Sequence, residues 1–102
     1  MISVKALAAR RCHLGQVDRY AAEFDAGEPV SLECAALKYY ASEAVGRIAD
    51  RAVQIYGGAG YIAEYDAERF FRDARVYRIY EGTTQILQLQ IAKHLLRRFA
   101  AL

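Results

Sequence analysis

Gln54-Ile55-Tyr56-Gly57-Gly58-Ala59-Gly60-Tyr61 closes a long apolar run, and its reading decides the fold. Glycines at this density suggest a phosphate loop, but a dinucleotide fingerprint needs a strand before them and a helix opening within them. Here an alanine-rich helical pattern precedes the glycines and a turn is expected after them. The segment therefore reads as the C-terminus of a helix in an all-α chain. A second reading stays open beside that one. Bare glycine backbone lets a phosphate or a flat ring approach closely, and the Gln54 amide could serve as a hydrogen-bonding arm.

Working outward, the same punctuation divides the rest of the chain. Upstream, Leu37, Ala41, Ala44, Ile48, Ala52 and Ile55 mark the apolar positions of a helix over 31–56, with Ser31 as its predicted N-cap. Before it, Leu7, Leu14 and Ala21 recur every seven residues, with Val17 and Phe24 offset by three, which predicts a helix over 2–26. Gly27-Glu28-Pro29 ends that helix, because glycine accepts a left-handed C-cap and proline cannot continue the ladder. Downstream, a turn runs through Tyr65 and a short helix over 66–74 is capped by Asp66. Residues 76–82 form a connector. Thr83 or Thr84 caps a last helix over 83–100, whose stripe is Leu89, Ala92, Leu96 and Phe99. The expected architecture is an up-and-down helical bundle. Three long helices do not close a four-helix core, so oligomerisation is expected to complete it.

Composition bounds the rest. The 102 residues are expected to be one domain over 1–102, or a piece of one. Hydrophobic residues make up 55% and charged ones 25%, which excludes a disordered chain. The net charge of +2, with acids and bases interspersed, does not argue for nucleic acid. The first residues lack the apolar run of a signal peptide and no segment reaches the roughly 20 apolar residues of a membrane span. Cys12 and Cys34 fall in different predicted helices and read as small buried hydrophobes of a reduced, cytoplasmic protein.

One segment carries candidate chemistry: Ile79-Tyr80-Glu81-Gly82-Thr83-Thr84-Gln85-Ile86. It sets a carboxylate on an expected tight, partly buried turn ahead of a helix start. Glu81 has a bland reading, a carboxylate stabilised by the helix dipole. It also has a functional one, a general base whose pKa is raised by partial burial. Arg78 nearby would oppose that rise by holding the carboxylate ionised. His13 and His94 stand alone, without a second ligand at metal spacing, so no metal site is expected. No nucleophile elbow or Cys–His pair is readable. Arg69, Arg72, Asp73 and Arg75 read as a charged face on the short helix, solvated or packed across a subunit boundary, with Asp66, Glu68 and Asp73 offsetting the cations.

In order and spacing, several separated blocks resemble the C-terminal helical domain of the acyl-CoA dehydrogenases. They are Ala41-Ser42-Glu43-Ala44, Ala52-Val53-Gln54-Ile55, Gly57-Gly58 with Gly60-Tyr61, Glu64-Tyr65, Arg72-Asp73-Ala74-Arg75, Ile79-Tyr80-Glu81-Gly82-Thr83 and Ile91-Ala92-Lys93-His94-Leu95-Leu96. The resemblance implies that Glu81 removes the α-proton of an acyl-CoA thioester while an FAD cofactor takes the β-hydrogen as hydride. It implies that the Glu81 backbone N–H helps to stabilise the enolate-like oxygen. It places Gln54, Gly57 and Gly58 toward the FAD pyrophosphate of a neighbouring subunit, Thr83 and Gln85 toward the FAD adenosine part, and Gly82 beside the substrate. A homodimer or homotetramer is implied, or a partner chain supplying the remaining domains.

The chain departs from the family at Asp66, where many members have proline, and at Tyr56, a position often His or Phe. The N-terminal helical and β domains, and the first helix of the C-terminal domain, are expected to be missing. The isolated chain is then expected to be inactive. Two alternatives stand beside the dehydrogenase reading: a non-catalytic helical assembly protein derived from this domain, and a fragment of a related acyl-CoA oxidase or nitroalkane oxidase.

Overall fold

The computed structural model describes the backbone from Val4 and the side chains from Cys12, in both cases to Leu102. Five α-helices follow in order: α1 Val4–Asp25, α2 Ser31–Tyr56, α3 Gly58–Tyr61, α4 Ala67–Arg75 and α5 Thr84–Ala100, with a 3-10 turn at Val76–Arg78 between the last two. The described residues contain no strand. α2 is the spine. Its 26 residues extend roughly 39 Å, and α4, α5 and α3 pack against it, with α1 touching it less. The molecule is accordingly long and narrow, 54 × 25 × 20 Å.

Helix ends follow the sequence closely in two places. Gly27 takes φ +84°. The Gly27 N–H reaches the Phe24 carbonyl at 2.9 Å and the Glu28 N–H reaches the Glu23 carbonyl at 3.0 Å. That pair of bonds is a Schellman cap. The Thr83 hydroxyl accepts from the Ile86 N–H at 3.3 Å and caps α5. Elsewhere the caps differ from expectation. Val30, buried, takes the N-cap position of α2 without a side-chain bond, and Ser31 is already helical. Asp66 occupies the N-cap position of α4 but makes no cap bond. Its carboxylate pairs instead with Arg69 at 3.1 Å. The expected plain turn after Gly57 contains the four-residue helix α3, so a helix does open among the glycines.

The core is built from small residues. Ala35, Ser42, Gly46 and Ala49 form the buried line of α2, facing Ala67 and Ala74 of α4 and Leu87 of α5. Alanine against alanine lets helix axes approach closely but removes little apolar surface from water. The stripes expected from periodicity are largely uncovered. Leu14, Val17 and Phe24 of α1, Ile48 and Ile55 of α2, and Leu89, Leu96 and Phe99 of α5 are all exposed. Leu7 lies outside the described side chains. The reason is visible in α5. Its apolar residues circle the helix, and the line turned inward is Leu87, Ile91 and His94 rather than the heptad-like one. Cys12 and Cys34 are free and exposed, not buried, because α1 covers only part of α2. No helix among the described residues is long and apolar enough to cross a membrane.

Candidate active site

The connector from the 3-10 turn to α5 is bent by its own backbone and gripped by α2. The N–H groups of Ile79 and Tyr80 both reach the Val76 carbonyl, at 2.9 and 3.1 Å. The chain then reverses through Glu81 at φ +53° and Gly82 at φ +99°. Among the described residues Glu81 is the sole non-glycine with positive φ. A left-handed glutamate costs of order 1–3 kcal/mol, so surrounding contacts must impose it. Glycine at 82 relieves the second half of the reversal, where an added Cβ would also stand 3.3 Å from Leu87.

Two side chains of α2 supply those contacts. The Lys38 ammonium donates to the Tyr80 carbonyl at 3.0 Å and to the Gly82 carbonyl at 2.6 Å. The Glu43 carboxylate accepts from the Thr84 hydroxyl at 2.9 Å and from the Arg78 guanidinium at 3.4 Å. Arg78 reaches Glu43 by lying over Gly46, where a Cβ would stand 3.3 Å from the guanidinium. A cation and an anion of one helix thus hold both flanks of Glu81. Gln88 adds a further stitch from α5 to α2, donating to the Tyr39 hydroxyl at 3.1 Å.

Two expectations are corrected here. Glu81 is exposed rather than partly buried, because none of the described residues covers the outer side of its turn. Arg78 serves Glu43 rather than Glu81, since the 3-10 turn carries it into the gap left by Gly46. Glu81 does line an open pocket of about 500 Å³, whose walls are mainly apolar and include Ala41, Val45, Tyr77 and Tyr80. Among the described residues the Glu81 N–H has no hydrogen-bond acceptor. One residue therefore presents a carboxylate and a free amide donor beside an apolar hollow.

The second group lies at the far end of α2. Gly57 takes φ +60°, ψ −137°, and its N–H bonds the Gln54 carbonyl at 3.2 Å. No atom lies within 4 Å of where a Cβ would stand at Gly57 or Gly58, so this backbone is bare to the outside. Gln54 is exposed beside it. Gly60 is different. It is buried, and a Cβ there would strike the Val53 carbonyl, so glycine is what lets α3 lean on α2. Glu43 and Gln54 are eleven residues apart, roughly 16 Å along the helix. The structure therefore brings Glu81, Gly82, Thr83 and Gln85 together, and Gln54, Gly57 and Gly58 together, without joining the two groups in one chain. No group of three or more His, Cys, Asp or Glu suited to a metal occurs among the described residues. Arg72, Asp73 and Arg75 are exposed beside the Arg69–Asp66 pair. Sequence reasoning missed Lys38 and Glu43 as site residues. Their opposite charges five residues apart on α2 carry no signal until the fold brings the connector to them.

Helices packed along α2, with a glutamate and a glycine reversing the connector into α5, define the class by fold: an all-α helical domain. A family model described as the acyl-CoA dehydrogenase C-terminal domain matches residues 5–96, and the chain belongs to that family. It is 51% identical over 75 residues to the mitochondrial short-chain specific acyl-CoA dehydrogenase of Rattus norvegicus, covering 74% of this chain and 18% of that protein. It is 46% identical over 75 residues to the 3-(aryl)acrylate reductase of Clostridium sporogenes, covering 74% of this chain and 20% of that one. The crystal structure of acyl-CoA dehydrogenase from Geobacillus kaustophilus superposes with a TM-score of 0.81 at 33% identity, over 89% of this chain and 24% of that chain. The chain thus spans about a fifth of the length of the curated relatives it matches.

Proposed function

We propose that this domain supplies the general base for α,β-dehydrogenation of an acyl-CoA thioester, and that Glu81 is that base. The observation that carries the reading is the imposed left-handed backbone at Glu81, beside an apolar pocket and between two anchors from α2. Strain of this kind persists where a side chain must be aimed. An α-proton of a thioester is far less acidic than a carboxylic acid. The base must therefore be held against the carbon, and the oxygen that gains charge needs a preset donor. Glu81 takes the proton on its carboxylate, and its own N–H meets the thioester oxygen. Gly82 leaves room for the substrate next to the base.

FAD fits the two outer groups. The bare Gly57–Gly58 backbone with exposed Gln54 suits a diphosphate from a neighbouring subunit. Exposed Gln85 and half-buried Thr83 suit the adenosine part, although the Thr83 oxygen is already engaged in capping α5. When bound, FAD supplies the two-electron oxidant. The separation of the groups along α2 supports a site shared between copies, and the exposed Leu89, Leu96 and Phe99 stripe gives α5 an apolar face for a homodimer or homotetramer.

The test is α-hydrogen exchange. A flavin-loaded enzyme containing this domain, mixed with an acyl-CoA in D2O, incorporates deuterium at the α-carbon. Glu81→Gln keeps the shape and loses at least about 10²-fold of that exchange. Exchange at the parent rate would remove Glu81 from the role.

A further inference from the structure

We infer that Lys38 is a positioning residue for the reaction, holding and polarising the Tyr80–Glu81 peptide and bracing the Gly82–Thr83 peptide beyond the turn; this rests on the reading of Glu81 as base and amide donor. The Lys38 ammonium is 3.0 Å from the Tyr80 carbonyl oxygen and 2.6 Å from that of Gly82. Among the described residues no carboxylate pairs with it. Its charge is spent on two neutral carbonyls, and those carbonyls bracket the sole non-glycine of positive φ among the described residues.

The geometry gives that arrangement a consequence. The Tyr80 carbonyl and the Glu81 N–H belong to the same planar trans peptide, so they point in opposite directions. An ammonium that fixes the carbonyl also fixes the N–H, aiming it away from α2. The bond does more than aim. A cation on the oxygen of a peptide draws electron density from its nitrogen, and hydrogen bonds in such a chain strengthen one another. The Glu81 N–H becomes a stronger donor toward an oxygen that is gaining negative charge. The second bond fixes the Gly82–Thr83 peptide, which completes the hold on the reversal. Glu43 secures the outer flanks through Arg78 and Thr84. Among the described residues Lys38 is the side chain that holds the peptide unit carrying the Glu81 N–H. α2, the longest helix, provides the rigid support.

Two variants and one spectrum test this. In the flavin-loaded enzyme, Lys38→Met keeps the length of the side chain and removes the donor. It lowers kcat by about 10²-fold and changes KM by less than about threefold, the signature of a contact that matters in the transition state. Lys38→Arg keeps a charged donor and restores kcat to within about tenfold of the parent. In the 102-residue chain, lysine-selective 15N spectra show the Lys38 ammonium protons protected from exchange, and Lys38→Met shifts the carbonyl resonances of residues 80 and 82. Parental kcat in Lys38→Met overturns the inference, as does a Lys38 ammonium that exchanges like an exposed lysine. If Lys38→Met does not fold, the parent spectrum alone decides. Should Glu81→Gln keep its turnover, the base assignment falls by itself, while the spectra still judge the hold of Lys38 on the turn.

Discussion

Replacing Glu43 with alanine tests the anchoring of the turn at its outer flanks. Glu43→Ala removes the acceptor for the buried Thr84 hydroxyl, 2.9 Å away, and the partner of Arg78. A hydrogen bond to a charged acceptor contributes about 1.5–3 kcal/mol, and a buried hydroxyl left without an acceptor loses most of it. The Arg78 pair adds less. Its 3.4 Å separation and side-chain exposures of 32% and 24% leave it partly screened, so it contributes no more than about 1 kcal/mol. Together the loss is about 2–3 kcal/mol, a large share of the stability of a small domain. At about 4–8 °C per kcal/mol for a domain of this size, Tm falls by about 10–20 °C. Glu43→Gln keeps an acceptor for Thr84 and forfeits only the charge, so it loses about half as much. Thermal unfolding of the chain followed at 222 nm reads both. A Glu43→Ala midpoint within about 2 °C of the parent would refute the reasoning.

Two further substitutions and one association measurement follow from the same contacts. Gly60→Ala pushes a methyl into the Val53 carbonyl and lowers stability by about 1–3 kcal/mol in urea unfolding; a neutral outcome would mean α3 is not seated on α2 as described. Thr83→Ala removes the cap of α5 and costs about 1 kcal/mol, while Thr83→Ser, which keeps the oxygen, costs a fraction of that in the same assay. In sedimentation at micromolar concentration the chain runs as a dimer or tetramer, and substituting Leu89 and Leu96 with glutamate shifts it to monomer. A monodisperse monomer for the parent chain would contradict the assembly reading.

The elements were legible where a single residue dictates its own backbone. Gly27 announces a left-handed cap and the structure shows one; the Thr83-Thr84 pair announces an N-cap without saying which residue makes it, and Thr83 does. Alanine-rich spacing was enough to place α2 residue for residue. The faces were not legible. In a helix apolar on several sides, periodicity offers more than one stripe, and tertiary packing chose Leu87, Ile91 and His94 over the exposed heptad-like line of α5. Ser31 and Asp66 failed as caps for a related reason. Buried Val30 fixes the entry to α2, and Arg69 captures the carboxylate of Asp66. Of the site, Glu81 and its glycine could be picked out, but the exposure of Glu81 could not. Neither could its anchors, because Lys38 and Glu43 act across 35 to 44 residues of intervening chain. Such long-range pairing leaves no local pattern.

The most direct measurement is the anaerobic rate of flavin bleaching when the flavin-loaded enzyme is mixed with an acyl-CoA, parent against Glu81→Gln at equal flavin content. Removing the base while keeping its shape should slow bleaching by at least about 10²-fold with the thioester still bound. Bleaching of Glu81→Gln at the parent rate would contradict the account.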